Sequence, residues 1–135
     1  MRYVALIDGE SGAYGVTIPD LVGCTAMGAT VDDALVAAVD AMRDWADVAE
    51  EDGATVPPPR PVDAVRTDPD VVEALANGAM LASVVLVRHT GRPVKANMSL
   101  DSGVLSALDA AAKQAGLTRS ALVEAMTKRL AAGNL

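Results

Sequence analysis

The apolar positions of the first 29 residues fall into three short runs, 2-RYVALID-8, 13-AYGVTI-18 and 24-CTAMGA-29, each predicted to be a strand. The turn signals DGESG and PDLVG separate them, so an antiparallel meander is expected. From Thr30 the period changes. Val31, Leu35, Ala38, Val39, Met42, Trp45, Ala46 and Ala49 recur at helical spacing and predict a long amphipathic helix. Thr30 is its N-cap candidate, with Asp33 three residues on as a variant capping box. Asp40, Asp44, Asp47 and Glu51 mark the opposite face, and Gly53 ends the helix. The segment 56-VPPPRP-61 predicts a stiff connection. A short helix is expected from about Asp68-Pro69 to Asn77-Gly78. The run 80-MLASVVLV-87 reads as a buried strand able to return to the meander's sheet. The order βββα(α)β describes an α+β domain over residues 1–87, long enough for one core.

A linker, 88-RHTGRP-93, follows, and then the pattern restarts. Lys95, Asn97 and Ser99 alternate with Val94, Ala96, Met98 and Leu100, which predicts a strand with one polar and one apolar face. No second strand follows it. A helix is predicted over about 101–115, stopping at Gly116, and another over about 119–132 with Thr118 as its N-cap. Val104, Leu105, Leu108, Ala111, Ala112 and Ala115 form one apolar stripe; Leu122, Val123, Met126 and Leu130 form the other. The tail from Arg92 onward holds only about 44 residues, too few for a self-sufficient core. Self-pairing resolves this. Two strands make an antiparallel ribbon, and four helices close a shared core beneath it, over residues 94–132. Lys95, Asn97 and Ser99 then project outward, with Arg92 just ahead of them. A two-stranded ribbon fits the DNA major groove, where Lys can donate to guanine and Asn can bond adenine in bidentate fashion. The start of the second helix, with Thr118, Arg119 and Ser120, is suited to clasp a phosphate. The plainer alternative is a dimerisation module whose polar strand face is merely solvated.

Composition sharpens this division. The net charge is −7, but residues 1–87 hold 15 acids against 4 bases, and residues 88–135 hold 7 bases against 3 acids. An acidic front and a basic end point to two jobs, the basic end being the usual footprint of nucleic-acid contact. Aromatic residues are limited to Tyr3, Tyr14 and Trp45, so cores must be built from Val, Leu, Ala and Met, with Trp45 expected as the core anchor of the first domain. No run is long enough to cross a bilayer, and the N-terminus has no signal-peptide layout, so a cytoplasmic location is expected. Cys24 stands alone, which excludes an intrachain disulfide and a multi-Cys zinc site; it reads as a small buried hydrophobe. His89 reads as a solvated linker residue.

The stretch GAYGVTIPDLVGCTAMGATVDDALVAAVDAM is similar to the HicB-type antitoxin domain, which has a partial RNase H-like fold. The family's G-Y-x-V strand corresponds to Gly12 to Val16, with Ala13 before the Tyr. Its P-D-L-x-G-C turn corresponds to Pro19 to Cys24, and its T-x-x-[DE]-A-L helix entry to Thr30 to Leu35. The tail resembles a ribbon-helix-helix DNA-binding domain through VKANMSL, LSALDAAAKQAG and LTRSALV. It departs in having Asp101 where many relatives have Pro, and Gly103 in the first helical turn. The two resemblances stand in the order seen in longer HicB-type antitoxins. They imply a bifunctional antitoxin of a type II toxin–antitoxin system. Its first domain would neutralise a HicA-type mRNA-cleaving toxin, and its tail would repress the shared operon by binding operator DNA as a homodimer, with higher oligomers open. A toxin that grips RNA should be basic, which suits an acidic first domain. Asp40, Asp44 and Asp47 are candidates for the toxin contact, against the plainer reading of a solvated face.

Two rival functions compete with this one. An RNase H-like nuclease would need several carboxylates converging on paired metals. Asp8 ends the first strand, but it reads as a turn residue, and Asp32 and Asp33 serve a helix dipole. No Ser/His/Asp set, phosphate-binding loop or metal-ligand cluster is present in the sequence, so no enzyme activity, cofactor or metal is expected. The second rival is a solitary ribbon-helix-helix repressor whose acidic domain senses a ligand or sets oligomer state.

Overall fold

Five consecutive residues of the first strand, Tyr3 to Ile7, are buried, because this strand lies inside a sheet covered on both faces. The computed structural model describes residues 1–133. Strands β1 (Arg2–Glu10), β2 (Ala13–Thr17) and β3 (Thr25–Gly28) lead into helix α1 (Val31–Glu51). Two short helices, α2 (Val62–Val65) and α3 (Pro69–Ala76), precede β4 (Met80–Val85). Helices α4 (Ser102–Ala115) and α5 (Arg119–Ala131) complete the order. The sheet is antiparallel in the order β3-β2-β1-β4, so β4 does return to the meander, on the far side of β1.

The alternation of β1 sorts its residues between two cores. Tyr3, Ala5 and Ile7 join Val16, Ile18, Leu35, Val39 and Met42 beneath α1. Val4 and Leu6 face the other way and pack with Val65 and Val71 of α2 and α3. The result is a mixed α+β arrangement with helices on both sides of one sheet. Helix α1 starts as the sequence predicts: the Thr30 hydroxyl accepts from the Asp33 amide at 3.0 Å. Gly28 is needed where β3 runs beneath this first turn. A Cβ there would sit 2.4 Å from the Ala34 nitrogen, which is backbone and cannot swing aside. Gly28→Ala is therefore expected to cost about 1–3 kcal/mol, read as a lower urea midpoint at an unchanged slope.

The stiff segment before α2 is tied down by groups distant in sequence. The Tyr3 hydroxyl donates to the Pro57 carbonyl at 2.6 Å. Asp20 accepts from the Arg60 amide at 2.8 Å and from its Nε at 2.6 Å, and the other guanidinium nitrogens of Arg60 fork onto Asp68. Tyr3, fully buried, is the aromatic anchor of this core, and the expectation for Trp45 is corrected accordingly. Trp45 is only half-buried. It packs against the edge of the core beneath α1, and its Nε1 donates to the Val22 carbonyl in the turn ahead of β3 at 2.8 Å. The 80–87 strand ends at Val85, although the Leu86 amide still bonds the Met1 carbonyl.

Cys24 is buried as expected, and burial pushes its thiol up from 9.0 to about 11. A raised folded value favours the native state fully below the unfolded value and loses that contribution as pH rises through the folded one. Between pH 9.0 and about 11, Cys24 should therefore account for a loss of roughly 2–3 kcal/mol. Urea titrations of wild type and Cys24→Ala across this range should show the larger decline in wild type. Burial, and then the Asp20 charge, also raise Tyr3, which adds to the decline in both proteins.

Candidate nucleic-acid and protein interfaces

The residues expected to read DNA lie in the open. Arg92, Lys95, Asn97 and Ser99 are all exposed, and the predicted strand over 94–100 belongs to no sheet among the described residues. Its apolar members are as open as its polar ones: Val94 is 87% and Met98 62% exposed. The two helices behind it match their predicted bounds closely. Asp101, in place of Pro, caps α4, its Oδ1 accepting from the Gly103 and Val104 amides at 2.8 and 3.3 Å. Gly116 ends α4 in the left-handed region with φ +70°. The Thr118 hydroxyl caps α5 by accepting from the Ala121 amide at 3.1 Å. Along the predicted stripes, Val104, Met126 and Leu130 are exposed, and Leu105, Leu108 and Leu122 are half-buried. The tail's apolar surface is thus largely uncovered in a single chain.

Of the three residues expected at a phosphate, two already have partners. Thr118 spends its hydroxyl on the cap. Arg119 makes two bonds, 2.8 and 2.9 Å, to the two carboxylate oxygens of Asp109 on α4. This fork holds the Asp109 carboxyl below its usual range. The pair is exposed, so a phosphate could replace the carboxylate at little cost. Ser120 is exposed at the head of α5.

The acidic face of α1 is neutralised from within the chain. Asp40 meets Arg43 at 3.3 Å and Lys128 of α5 at 2.9 Å, and Asp44 meets Arg43 at 2.9 Å. Arg88 forks between Asp47 and Glu50 at 2.8 and 2.9 Å, and its guanidinium holds the Glu50 carboxyl below the usual range. Two of these cations come from the basic end of the sequence. Ala131 and Ala132, at the end of α5, are buried in the core beneath α1. Sequence reasoning missed this junction, since its partners are nearly 40 residues apart or more. His89 and Arg92 line a cleft of about 670 Å³ between α1, the linker and α5. Asp8 lies inside β1, exposed and paired with Gly15, which corrects its reading as a turn residue; among the described residues no three His, Cys, Asp or Glu side chains are grouped to hold a metal. No described helix is long and apolar enough to cross a membrane.

The model of the HicB-like antitoxins of bacterial toxin–antitoxin systems matches residues 3–127. The chain belongs to the HicB-like antitoxin family. The match spans the acidic sheet domain and most of the helical tail. Solved structures agree. The antitoxin HicB of Burkholderia pseudomallei is 26% identical with a TM-score of 0.53, over 95% of this chain and 96% of that one. A HicA3–HicB3 toxin–antitoxin complex contains a chain 25% identical with a TM-score of 0.54, over 64% of this chain and 99% of that one. The N-terminal domain of the Burkholderia antitoxin, solved alone, is 26% identical with a TM-score of 0.52, again over 64% of this chain and 99% of that one. Curated proteins give no significant match.

Proposed function

We propose that this chain is a bifunctional antitoxin. Its sheet domain, residues 1–87, binds and neutralises a HicA-type mRNA-cleaving toxin. Its tail, residues 94–132, pairs with a second copy as a ribbon-helix-helix dimer and represses the operon by binding its operator. The family match over residues 3–127 carries this reading, and the HicA3–HicB3 complex supports a HicA-type partner. For the tail, the support is its uncovered apolar surface together with the alternating segment that finds no strand partner within the chain.

In the dimer, Val94, Met98 and Leu100 turn inward, and Lys95, Asn97 and Ser99 face the major groove. Asn97 bonds adenine, Lys95 meets guanine or a neighbouring phosphate, and Arg92 lies near the backbone. The amides at the head of α5, with Thr118, Arg119 and Ser120, hold a phosphate from each side. Arg119 exchanges Asp109 for that phosphate. The protein itself performs no chemistry in this scheme; it acts by binding in the cytoplasm. The test is co-expression with the cognate HicA-type toxin, a small basic protein. The two should co-purify as a stable complex, and the complex or the antitoxin alone should retard a fragment of the operon's own promoter. Failure to co-purify, with the basic protein folded and soluble, would remove the toxin half of the proposal.

A further inference from the structure

One side of α1 carries a single ion pair, between Asp44 and Arg43. Ala41, Asp44, Trp45, Val48, Ala49 and Asp52 lie at helical spacing and, with the turn ahead of β3, line a shallow groove of about 450 Å³. The ring of Trp45 is fixed there by its bond to the Val22 carbonyl, which satisfies its single donor. What the ring still presents is apolar. Val48 is 55% exposed beside it, and Val22 on the turn is 85% exposed. No Lys or Arg lines the groove, and two acids do. Asp44 engages Arg43 through Oδ1 alone, and Asp52 forms no ion pair among the described residues. Asp40, Asp47 and Glu50, by contrast, are occupied by Lys128 and Arg88.

We propose that this groove is the surface that receives the toxin, a basic protein that seats an apolar side chain against Trp45 and Val48 and sets cations over Asp44 and Asp52. The inference rests on the antitoxin reading and moves the contact from Asp40 and Asp47 to the Trp45 side of α1. The charges select this occupant. A second copy of the chain would bring acids against acids, which opposes pairing, and a nucleic acid would be repelled. A basic partner gains from the surplus of acids over bases in residues 1–87. A fixed Trp at the centre of an apolar patch ringed by charge is the usual anatomy of an interface anchor, and a cation can also lie over its ring.

The experiment uses full-length antitoxin and an inactive variant of the cognate HicA-type toxin, a small basic protein. Affinities are measured by calorimetry for wild type, Val48→Arg, Asp52→Lys and, as a control on α3, Val72→Arg. Trp45 is the only tryptophan, so antitoxin grown with fluorotryptophan gives one 19F resonance that reports on the groove without any substitution. Val48→Arg and Asp52→Lys should each weaken binding at least about thirtyfold, Val72→Arg should bind as wild type does, and the 19F resonance should shift on binding. If wild type binds but both groove variants bind equally well and the resonance stays put, the groove assignment is overturned and the antitoxin reading stands. If wild type does not bind the basic protein, both are overturned.

Discussion

Met98→Glu should convert the protein from a dimer to a monomer. Met98 lies mid-segment on the apolar side of the alternating stretch, and it is 62% exposed in a single chain. In the proposed ribbon it would be covered by α4 and α5 of both copies. A glutamate there puts a carboxylate from each chain into the same buried layer without a cation to meet it. An unpaired buried charge costs about 3–5 kcal/mol, and the change occurs twice per dimer. The dimer dissociation constant should then rise by roughly four to seven orders of magnitude. Sedimentation equilibrium of the full chain reads this directly, and the wild-type melting midpoint should rise with concentration. Lys95→Glu, on the outer side, should leave the dimer intact. A Met98→Glu protein that dimerises as tightly as wild type would remove the ribbon.

Asn97→Ala should weaken operator recognition strongly and leave the dimer standing. Asn97 sits between Ala96 and Met98, so pairing through the apolar side turns its amide outward. Loss of a bidentate base contact costs about 1–3 kcal/mol of discrimination. With two copies per operator the loss approaches about 2–6 kcal/mol if the half-sites are independent, or roughly 30-fold to 10⁴-fold in affinity. Nonspecific affinity, set by phosphate contacts, should barely change. Anisotropy titrations with operator and scrambled duplexes separate the two. Equal operator affinity in Asn97→Ala and wild type would mean that this segment is not the reading element.

The sequence was most legible where the physics is local. Thr30, Gly116 and Thr118 announce helix ends through side-chain capping or a positive φ, and each does what its position predicts. The apolar run of β1 and the turns around it were enough to place the meander. Helix α2 was not legible, because four residues carry no period. Neither were the bonds of Arg60 to Asp20 and Asp68, nor those of Arg88 and Lys128 to the acids of α1. Those pairings depend on which surfaces the tertiary fold brings together. The charge split between the halves was visible, but part of it is consumed by these internal contacts. Trp45 reaches the core only at its edge for a related reason: helical spacing puts it beside the core positions without saying that its ring also meets a turn. The pattern around Asn97 was visible in the sequence, and among the described residues the segment 94–100 joins no sheet.

As proposed above, this chain silences a ribonuclease toxin by binding it. The direct measurement is mRNA cleavage by the cognate HicA-type toxin while wild-type antitoxin is titrated in, with Asn97→Ala beside it. Cleavage should fall in proportion to added antitoxin and vanish near equimolar chains, identically for both proteins. Cleavage that continues with antitoxin in excess would contradict the account, and inhibition lost in Asn97→Ala alone would contradict its division into two working parts.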